Sequence, residues 1–181
     1  MAFKSASESQ ITMSLLMTPE HSNFGGKVHG GYVLMLMDQI AFACASKHSG
    51  NYCVTASVNK VDFLNPINVG ELVHLRASVN YTGRTSMVIG LRVESEKIQT
   101  GEIKHCNSSY FTMVAKDDDG KSVPIPGLII NSESGVRRFS RSIQRKDQVL
   151  ARAERFDENE FQAEEYISLI EGENLQLKLK R

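Results

Sequence analysis

Residues 31–46 read GYVLMLMDQIAFACAS. Leu, Met and Ala dominate, no proline or internal glycine interrupts the run, and Ser49-Gly50-Asn51 follow as a stop. The stretch therefore predicts a helix. Its apolar residues run all the way round, the pattern of a helix buried on every side. Asp38 is the one charged residue in it, with Gln39 beside it. Burying an ionised carboxylate is costly unless it is paired or hydrogen-bonded. Asp38 thus reads in one of two ways. It lies on an exposed or interface edge of the helix, or it is a reactive carboxylate in a cleft, where perturbed acids concentrate. Gln39 orients or caps rather than reacts.

The segments around this helix read as strands. A short run at 12–17 ends at Thr18-Pro19, and residues 20–31 are a loop rich in Gly, Asn and His. Four long runs follow the helix, at 52–64, 71–81, 86–98 and 103–116. Asn65-Pro66, Thr82-Gly83-Arg84, Thr100-Gly101 and Asp117 to Gly120 mark the turns. In the second run Val73, Leu75, Ala77, Val79 and Tyr81 alternate with His74, Arg76, Ser78 and Asn80, which predicts a half-buried strand. Turns at this spacing suggest an antiparallel meander rather than βαβ units. The fold class is α+β: a curved antiparallel sheet of about five to six strands wrapped round one central helix. Residues 1–130 form that domain, with 121–130 as a proline-bearing exit segment. Residues 131–181 read as a charged, helical C-terminal extension, alternatively partly disordered or packed on a neighbouring subunit.

The chain has 181 residues, 41% of them hydrophobic, with 21 basic and 21 acidic side chains. One core of ordinary size fits that length. The neutral balance argues against a nucleic-acid binder and against an acidic disordered chain. Cys44, Cys53 and Cys106 are odd in number and contain no C-x-x-C, so neither a disulfide framework nor a zinc site is expected. The five histidines have no metal-ligand spacing. The N-terminal residues lack an apolar core and do not read as a signal peptide, and no apolar run is long enough to span a bilayer. A cytoplasmic, soluble protein with no membrane partner is the expectation.

The loop before the helix, residues 23–31, contains four glycines. Glycine lets a ligand approach main-chain N–H groups, and a helix start presents free N–H groups with partial positive charge. Gly30-Gly31 can therefore form an oxyanion hole seven residues before Asp38. No Walker loop and no dinucleotide fingerprint is present.

Asn23-x-x-Gly26-x-x-His29-Gly30-Gly31, followed by Asp38, resembles the helix-start signature of hotdog-fold acyl-CoA thioesterases. The type most like it is the cytosolic or brain acyl-CoA hydrolase group with its bacterial relatives. Residues 55–67 (TASVNKVDFLNPI), Gly70-Glu71, residues 82–87 (TGRTSM) and residues 110–115 (YFTMVA) are similar to further parts of that group, in order. The resemblance covers roughly residues 12–130. His29 departs from it, since many bacterial relatives place Phe there.

The resemblance implies hydrolysis of an acyl-CoA to free CoA and a carboxylic acid. Asp38 would be the general base on water, or a nucleophile acting through an anhydride. Asn23 would be contributed by the other subunit of a hotdog dimer, and a backbone N–H at Gly30 or Gly31 would polarise the thioester carbonyl. Such dimers often assemble as trimers of dimers. CoA enters as substrate, with no further cofactor and no metal. Its phosphates call for cations. Arg84 with Thr85 and Ser86 is the leading candidate, unless Arg84 is simply a solvated turn residue, and Lys60 is a lesser one. The rival readings are a hotdog dehydratase, whose His and acid arrangement is not found, and a non-catalytic hotdog module that binds acyl-CoA as a ligand or signal. The second has no need of Asp38.

Overall fold

The computed structural model describes residues 2–155 and Leu175. Two compact units make up the chain, Met1–Ile143 and Gln144–Arg181. In the first, β1 (Phe3–Ser5), α1 (Ala6–Ser9) and β2 (Ile11–Leu16) lead through a 3-10 turn at Pro19–His21 to α2 (Gly30–Ser49). β3 (Tyr52–Val58), β4 (Asp62–Phe63), β5 (Leu72–Thr82), β6 (Ser86–Lys97), β7 (Glu102–Lys116) and β8 (Gly127–Ile129) follow, and α3 runs over Glu133–Arg155. The helical extension expected after residue 131 thus begins as a helix, with Phe139 against Tyr81 at 4.9 Å between ring centroids. The expectation for residues 156–174 and 176–181 lies outside the described residues.

One antiparallel sheet curves round α2 in the order β2-β5-β6-β7-β3, with β4 also on β7. The consecutive strands β5, β6 and β7 form the expected meander. β3 departs from it by crossing to the far edge, where it pairs with β7. Alternation fixes which face a strand buries and carries no information on strand order. The run at 52–64 also splits in two, because after the Asn59 N–H bonds the Tyr110 carbonyl the chain leaves regular pairing at Lys60 and Val61 before β4 resumes it.

The sheet's inner face and α2 make the core. Val33, Leu36, Met37, Ile40, Ala41, Cys44 and Ala45 recur at helical spacing and are buried. They pack with Val73, Leu75 and Val79, with Met87, Ile89 and Val93, and with Phe111 and Met113. The expected helix buried on every side is corrected here. Met35 is 46% exposed and Phe42 39%, and Gly31, Asp38 and Gln39 lie on the same open stripe. The sheet covers one side of α2, so an apolar surface remains on the other. All three cysteines are free and buried, and burial pushes the Cys44 thiol up to about 12.

Candidate active site

Asp38 lies nine residues into α2, on the open stripe of the helix. It is exposed in the chain, which corrects the picture of an acid buried within one copy. Thr55 Oγ1 donates a hydrogen bond to Asp38 Oδ1 at 2.5 Å and also lies 3.3 Å from Met113 Sδ. The edge strand brings Thr55 there. The β3–β7 register runs Thr55↔Met113 and then Ser57↔Thr112, leaving Ala56 as an extra residue. A bulge of this kind bends the strand and re-aims its side chains. Thr55 is the candidate site residue that sequence reasoning missed. It stood in a recognised strand, but no glycine or turn residue marked the bulge.

Asn23 sits at the start of a tight loop. Ser22 and Val28 form a backbone bridge, Asn23 N–H donates to the Lys27 carbonyl at 2.7 Å, and Gly26 N–H donates to the Asn23 carbonyl at 3.0 Å. Asn23 Oδ1 accepts from the N–H groups of Gly25 (2.9 Å) and Lys27 (3.2 Å). With the oxygen occupied, Nδ2 is a double donor with no partner among the described residues, on an exposed loop where Phe24 beside it is fully exposed. Asn23 and Asp38 share no contact within the chain. Asp38 is about 12 Å along the helix axis from Gly30, at 1.5 Å per residue.

The helix start is more specific than its glycines suggested. His29 is the N-cap, and its Nδ1 accepts from Gly31 N–H at 3.0 Å. The Tyr32 and Val33 N–H groups both donate to the His29 carbonyl. Gly31 N–H is therefore engaged, whereas Gly30 N–H has no partner among the described residues. The Phe63 ring lies over Gly30, 3.4 Å from where a Cβ would stand. That glycine keeps a narrow approach to the N–H open.

The cations divide between two places. Arg84, Thr85 and Ser86 form the β5–β6 turn, near the row Thr55–Met113–Met87 that crosses the sheet at the level of Asp38. Arg84 is exposed, and its side chain has no partner among the described residues. Lys60 lies towards the other end of β7, in the β3–β4 connection, paired with Asp62 at 3.1 Å on the surface. The two do not converge. Among the described residues no cluster of His, Cys, Asp or Glu has a metal-binding arrangement, and no helix is long and apolar enough to cross a membrane.

A curved sheet round one helix, with an acid on the open side of that helix and a hydroxyl from the sheet edge bonded to it, is the hotdog architecture found in thioesterases. The comparisons agree. The thioesterase superfamily matches residues 25–102. Protein VdlD of Helicobacter pylori is 42% identical over 142 residues, 78% of this chain and 81% of its own. The acyl-CoA thioester hydrolase YkhA of Bacillus subtilis is 32% identical over 141 residues, 78% of this chain and 82% of its own. An apo-hexameric acyl-CoA thioesterase superposes with a TM-score of 0.82 at 35% identity, over 84% of this chain and 98% of that one. The Staphylococcus aureus acyl-CoA hydrolase bound to butyryl-CoA and CoA gives 0.78 at 29% identity, over 93% and 98%. Alanine variants of that hydrolase replace an asparagine, an aspartate and a threonine spaced as Asn23, Asp38 and Thr55 are here. The chain belongs to the thioesterase superfamily, in its acyl-CoA thioester hydrolase group.

Proposed function

We propose that this protein hydrolyses acyl-CoA thioesters at a site completed by a second copy of the chain, with Asp38 as the reacting carboxylate. The observation that carries this is the Thr55–Asp38 hydrogen bond on the open side of α2. Thr55 fixes one carboxylate oxygen and leaves the other for water. Asp38 takes a proton from that water as its oxygen bonds to the thioester carbonyl carbon. The carbonyl electrons move onto the oxygen, which the Gly30 N–H at the helix start of the second copy stabilises, since within one chain Gly30 stands about 12 Å from Asp38. Collapse of the adduct breaks the C–S bond. The thiolate leaves and takes up a proton, giving CoA and the carboxylic acid. A thiolate is a good leaving group, so positioning, one base and an oxyanion donor suffice. No cofactor beyond the CoA of the substrate enters this scheme.

The partner's part follows from what the chain leaves open. β3 is an edge strand with unpaired backbone groups, flanked by exposed Met35, Phe42, Tyr52 and Val58. Pairing two such edges would place two α2 helices side by side and bring each Asn23 loop to the other chain's Asp38. Asn23 then acts as a donor, because its oxygen is already occupied. The hexameric relatives support assembly of such dimers into a trimer. Arg84, Thr85 and Ser86 would meet the CoA phosphates.

Thiol release from acyl-CoAs of increasing chain length, with wild type and Asp38→Asn side by side, tests the proposal. Release by wild type alone is the expected result. Tight binding with no release by either would favour the non-catalytic acyl-CoA module.

A further inference from the structure

Glu71 stands at the start of β5, towards the end of the sheet where β7 begins, and it is 7% exposed. Asn68 and Lys104 donate three hydrogen bonds to its carboxylate, and the Ser95 side chain adds to them. The Asn68 N–H reaches Oε2 at 3.0 Å, and the Asn68 Nδ2 and Lys104 Nζ reach Oε1 at 2.6 and 2.9 Å. A buried charge satisfied this fully needs a reason, since an apolar residue would fill the same space at less cost. The reason lies on the far side of Asn68.

Asn68 Oδ1 accepts from Lys27 Nζ at 2.6 Å, and the two residues form a backbone bridge. Next to that bridge, Val28 N–H donates to the Ile67 carbonyl at 2.9 Å. Lys27 in turn closes the loop on Asn23, its carbonyl accepting the Asn23 N–H and its N–H donating to Asn23 Oδ1. A continuous series of hydrogen bonds therefore runs from Glu71 through Asn68 and Lys27 to the residue proposed to complete the partner's site. Behind Glu71 is a cavity of about 360 Å³ lined by Asn68, Ser95, Lys97, Glu102 and Lys104 among others.

We infer that Glu71 is a positioning residue for the reaction, anchoring the Asn23 loop through Asn68 so that the Asn23 amide is presented to a neighbouring copy. The role rests on the proposed function of Asn23 and extends it to a residue that meets no substrate. Burial opposes the charge on Glu71, but hydrogen bonds from Asn68, Lys104 and Ser95 outweigh it and hold the carboxyl down at about 2. The carboxylate is thus charged, and the anchor in force, at neutral pH. A glutamine in its place would keep the shape and lose the function, since its NH2 would face the donors of Asn68 or Lys104.

The test uses the full-length protein as wild type, Glu71→Gln, Asn23→Ala and the double variant. It reads kcat and KM for an acyl-CoA together with amide hydrogen exchange over residues 21–28. Glu71→Gln is expected to lower kcat about tenfold with KM within about twofold. The double variant should be no slower than Asn23→Ala alone, because the second change acts through the first. Exchange at the Asn23 and Val28 amides should quicken while α2 and the β5–β7 ladder stay protected. Additive losses, or a loop whose exchange does not change, would overturn the role. Asn68→Ala, which keeps the Glu71–Lys104 pair, should reproduce the pattern if Glu71→Gln fails to fold. A wild type that releases no thiol would overturn the functional reading instead, and the exchange arm would still decide whether Glu71 holds the loop.

Discussion

Thr55 Oγ1 donates to Asp38 Oδ1 at 2.5 Å, joining the edge strand of the sheet to the open side of the central helix. The bond fixes one of two equivalent oxygens and so fixes the direction of the other. A hydrogen bond to a charged group contributes roughly 1.5–3 kcal/mol. Thr55→Ala should therefore lower kcat by about ten- to a hundredfold at nearly unchanged KM. Thr55→Ser, which keeps the hydroxyl, should retain most of the rate. Asp38→Asn should lose about a thousandfold or more, the typical worth of a positioned base. Steady-state kinetics on one acyl-CoA decide all three, and equal rates for the Ala and Ser variants would remove Thr55 from the site.

The second prediction concerns the composite site. Asn23→Ala and Asp38→Asn, each nearly inactive alone, should regain activity when mixed after dissociation and reassembly. Random pairing makes half of the dimers mixed, and each mixed dimer carries one intact site, so roughly a quarter of wild-type activity should return. Recovery of nothing would place both residues in one chain's site or remove Asn23 from catalysis. Asn23→Asp should be inactive in either case, because it replaces the free NH2 donor by an acceptor facing a carboxylate.

Much of this was legible before any coordinates. Leu, Met and Ala at residues 31–46 announced the helix, and the alternation from Val73 to Tyr81 announced the strand. Asn23, Asp38 and the glycine pair were marked by charge, spacing and resemblance. Three things were hidden, each for a physical reason. The crossing of β3 to the far edge depends on which partner satisfies its backbone, and side-chain period does not encode that. The Ala56 bulge that aims Thr55 has no residue signature, because alanine adopts it without a special φ. The open stripe with Met35, Asp38 and Phe42 looked like core because composition does not separate an exposed apolar face from a buried one.

That stripe yields the third prediction. Phe42→Glu puts a charge on a face expected to be covered in the assembly, giving up within the chain the ring contact with Tyr52 and none of the buried core residues of α2. Light scattering should show a shift towards monomer, and thiol release should fall at least about tenfold while far-UV circular dichroism is unchanged. An assembly that stays intact and active would show that this face is solvent-exposed in the working enzyme. Arg84→Ala offers a contrast, since it should raise KM for acyl-CoA with kcat little affected and the assembly intact. A KM unchanged by that variant would leave Arg84 as a turn residue.

Acid should destabilise the fold in two separable stages. His48 is buried at the end of α2, where its Nε2–H donates to the Pro126 carbonyl at 3.0 Å. Burial lowers its affinity for a proton, Lys4 adds to that, and the Pro126 bond and Glu8 oppose it. The unfolded chain therefore takes up a proton that the folded chain refuses. Stability should begin to fall as pH drops below 6.5, with a slope of up to about 1.4 kcal/mol per pH unit. His48→Gln, which keeps a donor for Pro126, should flatten that first stage. Glu71 acts lower down. Its carboxyl is held at about 2 against 4.5 when unfolded, so it favours the folded state above pH 4.5 by about 3 kcal/mol. That contribution should be lost between pH 4.5 and 2, as the unfolded chain binds a proton first. Urea midpoints measured from pH 7 to 3 on wild type, His48→Gln and Glu71→Gln separate the stages. The gap between wild type and Glu71→Gln should be constant above about pH 5.5 and narrow to roughly half or less by pH 3. A gap of undiminished width at pH 3 would mean that Glu71 stabilises the fold by packing alone and its charge contributes nothing.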